Sequence, residues 1–191
     1  MKLSTLRRTG ILLGLAMVAA ITLAAPAVAQ QAEDTSGLGL KGIGVRLGLA
    51  DPEDASSALT MGVHIDAGTL VRNVHVVPSV EYWNVGNDVG PYNTDFSDLA
   101  FRLGINFDFP LQDQRMVPYL GGGIGIHRFS FDTNVPNIDD DSRTKIGLDV
   151  QGGARNQFTP NLSMFGELGY SFVSDANTLR LIGGLTYHFI Y

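Results

Sequence analysis

The chain has 191 residues, with 13 Lys and Arg against 19 Asp and Glu, and no cysteine. The acidic balance argues against nucleic acid as a partner, and the absence of cysteine excludes disulfides, thiolate metal sites and a lipid-bearing cysteine at a cleavage site. Lys2, Arg7 and Arg8 precede an apolar run from Ile11 to Ala25 and the small triplet Ala27-Val28-Ala29, the order of a secretory signal peptide over residues 1–29. A transmembrane anchor fits less well, because Thr22 and Pro26 interrupt the run and no basic flank follows. Cleavage after Ala29 leaves ten basic and 19 acidic residues, a formal charge of −9, with Lys41 and Lys145 the remaining lysines. That part suits one domain, a short polar lead over residues 30–37 followed by a domain over 38–191.

From residue 38 on, apolar side chains fall on every second position, the period of strands. The alternating positions run from Ile43 to Leu49, Met61 to Ala67, Val74 to Tyr82, Leu99 to Phe109, Pro118 to Ile126, Ile146 to Val150, Leu162 to Phe172 and Leu181 to Tyr191, and none of them is charged. The opposite face carries Arg46, His64, Asp66, His75, Glu81, Arg102, Asn106, Asp108, His127, Lys145, Asp149, Gln151, Glu167, Arg180 and His188 among many glycines. Short connectors are expected at Gly68 to Arg72, Pro110 to Arg115 and Gln157 to Asn161. Longer acidic ones are expected at Ala50 to Thr60, Asn84 to Phe96 and Ser130 to Arg143, with Ser174 to Thr178 a short exception. Short periplasmic turns opposite longer outer loops, and an even strand number with both ends on one side, are the pattern of an outer-membrane barrel. The fold class is therefore all-β, an eight-stranded antiparallel transmembrane β-barrel.

A soluble barrel also alternates, with its apolar face inward. Composition separates the two, since a water-facing wall would be dense in Lys and Glu, whereas here the polar face is mostly glycine: Gly42, Gly44, Gly48, Gly121, Gly123, Gly125, Gly147, Gly169 and Gly184. Small residues with a few ions suit the narrow lumen of eight strands, where Arg46, Arg102, Lys145 and Arg180 balance Asp66, Glu81, Asp149 and Glu167. Tyr82, Trp83, Tyr170 and Phe172 lie near strand ends, as interfacial girdles require.

Leu185, Tyr187, Phe189 and Tyr191 alternate to an aromatic end that resembles the strand read by the barrel-assembly machinery, and Pro118-Tyr119-Leu120-Gly121-Gly122-Gly123-Ile124-Gly125 resembles a strand common in small outer-membrane barrels. From Leu38 to Tyr191 the chain resembles the OmpA/OmpX-like outer-membrane barrel superfamily. The resemblance implies a stand-alone barrel in a Gram-negative envelope, without an added peptidoglycan-binding domain. It implies a structural or surface-interaction role and at most a small, porin-like opening. Outer-membrane lipid, lipopolysaccharide and the barrel-assembly machinery are the expected partners, and a monomer the expected state.

Barrels of this size include lipid A deacylases and palmitoyltransferases, so a lipid-modifying enzyme is one alternative and a soluble periplasmic ligand-binding barrel the other. His127, Ser130 and Asp132 could serve acyl transfer, but strand positions three apart face opposite ways. His64, His75, His127 and His188 lack a two-His spacing on one strand. Asp132 with Asp139, Asp140 and Asp141 lacks the spacing of a calcium loop, and Gly121 to Gly123 and Gly152-Gly153-Ala154 lack the lysine and helix of a phosphate cradle. No catalytic residue, cofactor or metal is expected, and the chain is read as a non-enzyme.

Overall fold

The alternation becomes eight strands: β1 (Gly37–Pro52), β2 (Ala58–Val71), β3 (Val74–Val89), β4 (Tyr92–Asp108), β5 (Met116–Thr133), β6 (Asp141–Thr159), β7 (Leu162–Val173) and β8 (Thr178–His188). This is a computed structural model that describes residues 37–53, 55–89, 92–111, 116–133, 141–174 and 176–189, with residues 87–89 and 92–93 described by their backbone alone. The expected signal peptide, the lead up to Ser36 and the terminal Tyr191 lie outside the described residues.

Each strand pairs antiparallel with the next, and β8 pairs back onto β1, closing the barrel. Closure removes every sheet edge within the wall, so the backbone polar groups there are satisfied without water. Among the described residues no helix is long and apolar enough to cross a membrane. The strands make the crossing.

The two faces fall as the period-two pattern requires. Ile43, Val45, Leu47 and Leu49 of β1, Phe101 to Phe107 at alternate positions of β4, and Leu181 and Leu185 of β8 point outward and are exposed, and Ile146 is 75% exposed. Arg46, Glu81, Arg102, Asp149, Glu167 and Arg180 point inward and are buried. An apolar outer wall around a charged lumen is stable only against lipid. A water-facing barrel with an apolar cavity is the reverse of what the chain forms.

Two sequence expectations differ from the structure. Trp83 does not join an outer girdle: it lies between outward-facing Tyr82 and exposed Asn84, shares the inner face with Glu81 and Val85, and is only 2% exposed. Adjacent strand residues cannot face the same side. Tyr82, Phe172 and Tyr187 do face outward.

The second difference concerns the long connectors. The strands run through most of Ala50 to Thr60 and Asn84 to Phe96, leaving residues 53–57 and 90–91 between them, and β5 and β6 likewise continue to Thr133 and from Asp141. The Asn84 to Phe96 stretch, rich in Asn, Asp and Gly, is a hairpin whose arms pair from Asn84↔Ser97 to Val89↔Tyr92.

The outer rim is consequently uneven. β3 pairs with β2 only up to Thr60↔Trp83, and β6 meets β7 only from Gly147↔Val173, whereas β3, β4, β5 and β6 stay paired with one another further out. Four strands thus stand above the wall as a sheet, in which, among the described residues, β3 beyond Trp83 and β6 before Gly147 each have a ladder partner on one side.

The periplasmic end carries register irregularities in the β1–β2, β2–β3 and β6–β7 ladders. The β1–β2 register steps from Leu38↔Gly68 to Gly42↔Asp66, and the β2–β3 register from His64↔Ser79 to Thr69↔His75. Gly68 sits between the two at φ 81°, and Asn73 makes the following turn at φ 63°.

Candidate functional site

The lumen divides into three layers. In the middle one Glu81 of β3 is the hub. Its Oε1 is 2.8 Å from Arg46 Nε, and its Oε2 accepts from Arg102 and Arg180, each at 2.9 Å. Asp149 of β6 accepts from Arg180 Nη2 at 3.1 Å, from Arg102 Nε at 3.3 Å and from the Ser171 hydroxyl at 2.5 Å. Arg46 also donates to Glu167, whose second oxygen accepts from the Tyr119 hydroxyl at 2.9 Å. Three arginines and three carboxylates from six strands form one buried net. Ions this dry are tolerable only as a complete set. Of the balance expected from sequence, Lys145 stands apart, donating to the Ser174 carbonyl at 2.6 Å, and Asp66 belongs to the layer below.

The outer layer is apolar. Trp83, Val85, Phe129, Val173, Ala50 and Ala58 form a buried cluster with Phe96 and Ala176 packed against it. Trp83 meets Phe96 edge-on, with centroids 5.5 Å apart, and Phe96 stacks on Phe129 at 5.8 Å. Beneath Phe129 the His127 ring stacks, and its Nδ1 is 2.8 Å from Asp98 Oδ2, both side chains being about 1% exposed. The cluster stoppers the outer end of the barrel, a feature that sequence reading missed; the signal was present in Trp83 and Phe129 sharing parity with lumen charges.

The periplasmic layer is polar and looser. Arg155 donates to Asp108, His75 Nε2 is 3.3 Å from Asp108, and Asp66 lies 3.7 Å from His75 Nδ1 and 3.5 Å from His188 Nδ1. Ser163 Oγ is 2.8 Å from His188 Nε2, and His64 Nε2 is 2.9 Å from Thr186 Oγ1. A cavity of about 380 Å³ opens here between Lys41, Asp66, His75, Arg155, Ser163 and His188. Above it the lumen holds spaces of only about 30 and 10 Å³, lined among others by Arg46 and Val77. Spaces of that size take single waters.

The sequence candidates for chemistry are not brought together. His127 turns inward to Asp98, whereas Ser130, three positions on, faces the other way and Asp132 is exposed at the rim. His188 is taken up by Asp66 and Ser163. Asp141 is exposed and pairs with Arg143 at 2.8 Å, while Asp139 and Asp140 lie outside the described residues. Among the described residues no group of three or more His, Asp or Glu is arranged to hold a metal ion.

The family model described as the outer membrane protein beta-barrel domain matches residues 14–189. The chain belongs to that family. Solved barrels of similar shape include Neisserial surface protein A, at 22% identity and TM-score 0.65 over 81% of this chain and 100% of that one. Ail, the attachment invasion locus protein of Yersinia pestis, solved with the heparin analogue sucrose octasulfate, has 16% identity and TM-score 0.56 over 78% and 97%. The N-terminal barrel of Pseudomonas aeruginosa OprF has 14% identity and TM-score 0.52 over 79% and 99%. At these identities the likeness is one of fold. No curated protein matches by sequence. As a member of the outer membrane protein β-barrel family, the chain is an outer-membrane barrel, and its exposed apolar wall is the lipid-facing belt.

Proposed function

We propose that this barrel is a closed display scaffold that holds a four-stranded sheet outside the cell for an extended segment of another protein to join. The observation that carries this reading is the edge of β3 beyond Trp83, which has no ladder partner among the described residues, whereas its other side is held by β4 from Asn84↔Ser97 to Val89↔Tyr92. A free strand edge is a template for β-strand addition. The β6 edge is the poorer one, because Asp141, Arg143 and Lys145 stud it with the charges that discourage pairing, whereas Asn84 to Val89 has the single charge of Asp88.

The stopper and the charge net support a non-porin role, and the separation of His127 from Ser130 and Asp132 supports a non-catalytic one. Cleavage after Ala29, recognition of the strand ending at Tyr191 by the barrel-assembly machinery, a monomeric state and lipopolysaccharide around the outer belt complete the reading.

The test is to pan a displayed library of random twelve-residue peptides against the barrel in uncharged-detergent micelles and map the retained peptides by amide hydrogen exchange. Protection gained at Asn84 to Val89 is the expected outcome. Retained peptides that protect other sites, or no retained peptide at all, would overturn it.

A further inference from the structure

We propose that the periplasmic vestibule is a binding site for a single phosphate group, held between Lys41 of β1 and Arg155 of β6. Arg46, Arg102, Arg155 and Arg180 each have a carboxylate within ion-pair distance, whereas Lys41 has none among the described residues. Strict alternation would place Lys41 on the lipid side with Ile43. The register step between Leu38 and Gly42 breaks that alternation, and Lys41 lines the cavity of about 380 Å³ instead. Bulges that re-aim a side chain are characteristic of sites in use.

Arg155 engages Asp108 through Nη2, which leaves its other nitrogens for the cavity. Gln157 and Ser163 add neutral polar groups to the wall. The carboxylate facing this space, Asp66, is covered: Oδ1 accepts the Gly68 N–H at 3.0 Å, and the rings of His75 and His188 stand against its oxygens at 3.7 and 3.5 Å. The groups with unused capacity are therefore an ammonium and a guanidinium on two strands. A tetrahedral oxyanion has enough acceptor sites to bridge both. The phosphate has two physical sources, a free phosphate ester in the periplasm or the headgroup of an inner-leaflet phospholipid.

The experiment uses the ¹⁵N-labelled barrel purified from outer membranes into uncharged detergent. Sodium phosphate is titrated at fixed ionic strength while the amide resonances of Lys41, Gln157 and Ser163 are followed. Saturable shifts at these amides are expected, with at least fivefold weaker binding in Lys41→Gln. That substitution lies at an exposed position, and unchanged heat-modifiable migration on a gel verifies its fold. Shifts that fail to saturate, shifts confined to other amides, or equal affinity in Lys41→Gln would overturn the site. Repeating the titration in phospholipid nanodiscs assigns the source: resonances already at their phosphate-bound positions identify a lipid headgroup, and a titration that persists identifies a free phosphate ester.

Discussion

At the residue scale the lumen is governed by side chains that cannot be changed singly. Glu81 touches Arg46, Arg102 and Arg180 together, so Glu81→Gln leaves three guanidiniums to share Asp149 and Glu167. A loss of about 3–5 kcal/mol in unfolding free energy is expected, read by urea titration in micelles. Trp83 is the single tryptophan of the chain, which makes its burial directly measurable. Its emission should be blue-shifted and resist both aqueous acrylamide and bromine-labelled lipid chains, whereas a girdle tryptophan would be quenched from the bilayer. Which residues face inward was legible in the two-residue period, because that property is local. Which ions meet was not: Arg46 and Glu167 are 121 positions apart and become neighbours only when the barrel closes. The same holds for His127, whose acid is Asp98 on β4 rather than nearby Asp132.

At the element scale the strands were legible where one face is uniformly apolar and illegible where lipid no longer imposes that rule. Beyond the belt, Asn84, Gly86 and Asp95 are exposed and polar composition suggests a loop, yet cross-strand hydrogen bonds to β4 carry the hairpin on to Val89. Irregularity at the other end has a defined cause in Gly68, whose positive φ joins the two register steps and whose hydrogen faces the Gly37 carbonyl, where a Cβ has no room. Gly68→Ala should therefore cost about 1–2 kcal/mol from the left-handed backbone alone, and more from the clash with β1. Its midpoint in thermal unfolding should fall, with amide exchange rising first at Leu38 to Lys41.

For the whole molecule, the stopper and the charge net act in series along one axis, and they predict an electrically silent barrel. Planar bilayers holding the native chain should show no discrete conductance steps, whereas the double variant Trp83→Ala, Phe129→Ala should show them or a raised leak. The described rim carries exposed Glu53, Asp95, Asp132 and Asp141 against exposed Arg128 and Arg143 and half-buried Lys145, a surface of mixed charge. The apolar stopper also bears on how many copies a cell can carry. Each open channel added to an envelope raises the inward flux of toxic small solutes; if the cluster of Trp83, Phe96 and Phe129 closes the lumen as the conductance prediction requires, abundance at the surface carries no permeability penalty. Bacteria crowded with the sealed form should keep their resistance to small hydrophilic antibiotics, and those crowded with the unstoppered form should lose it.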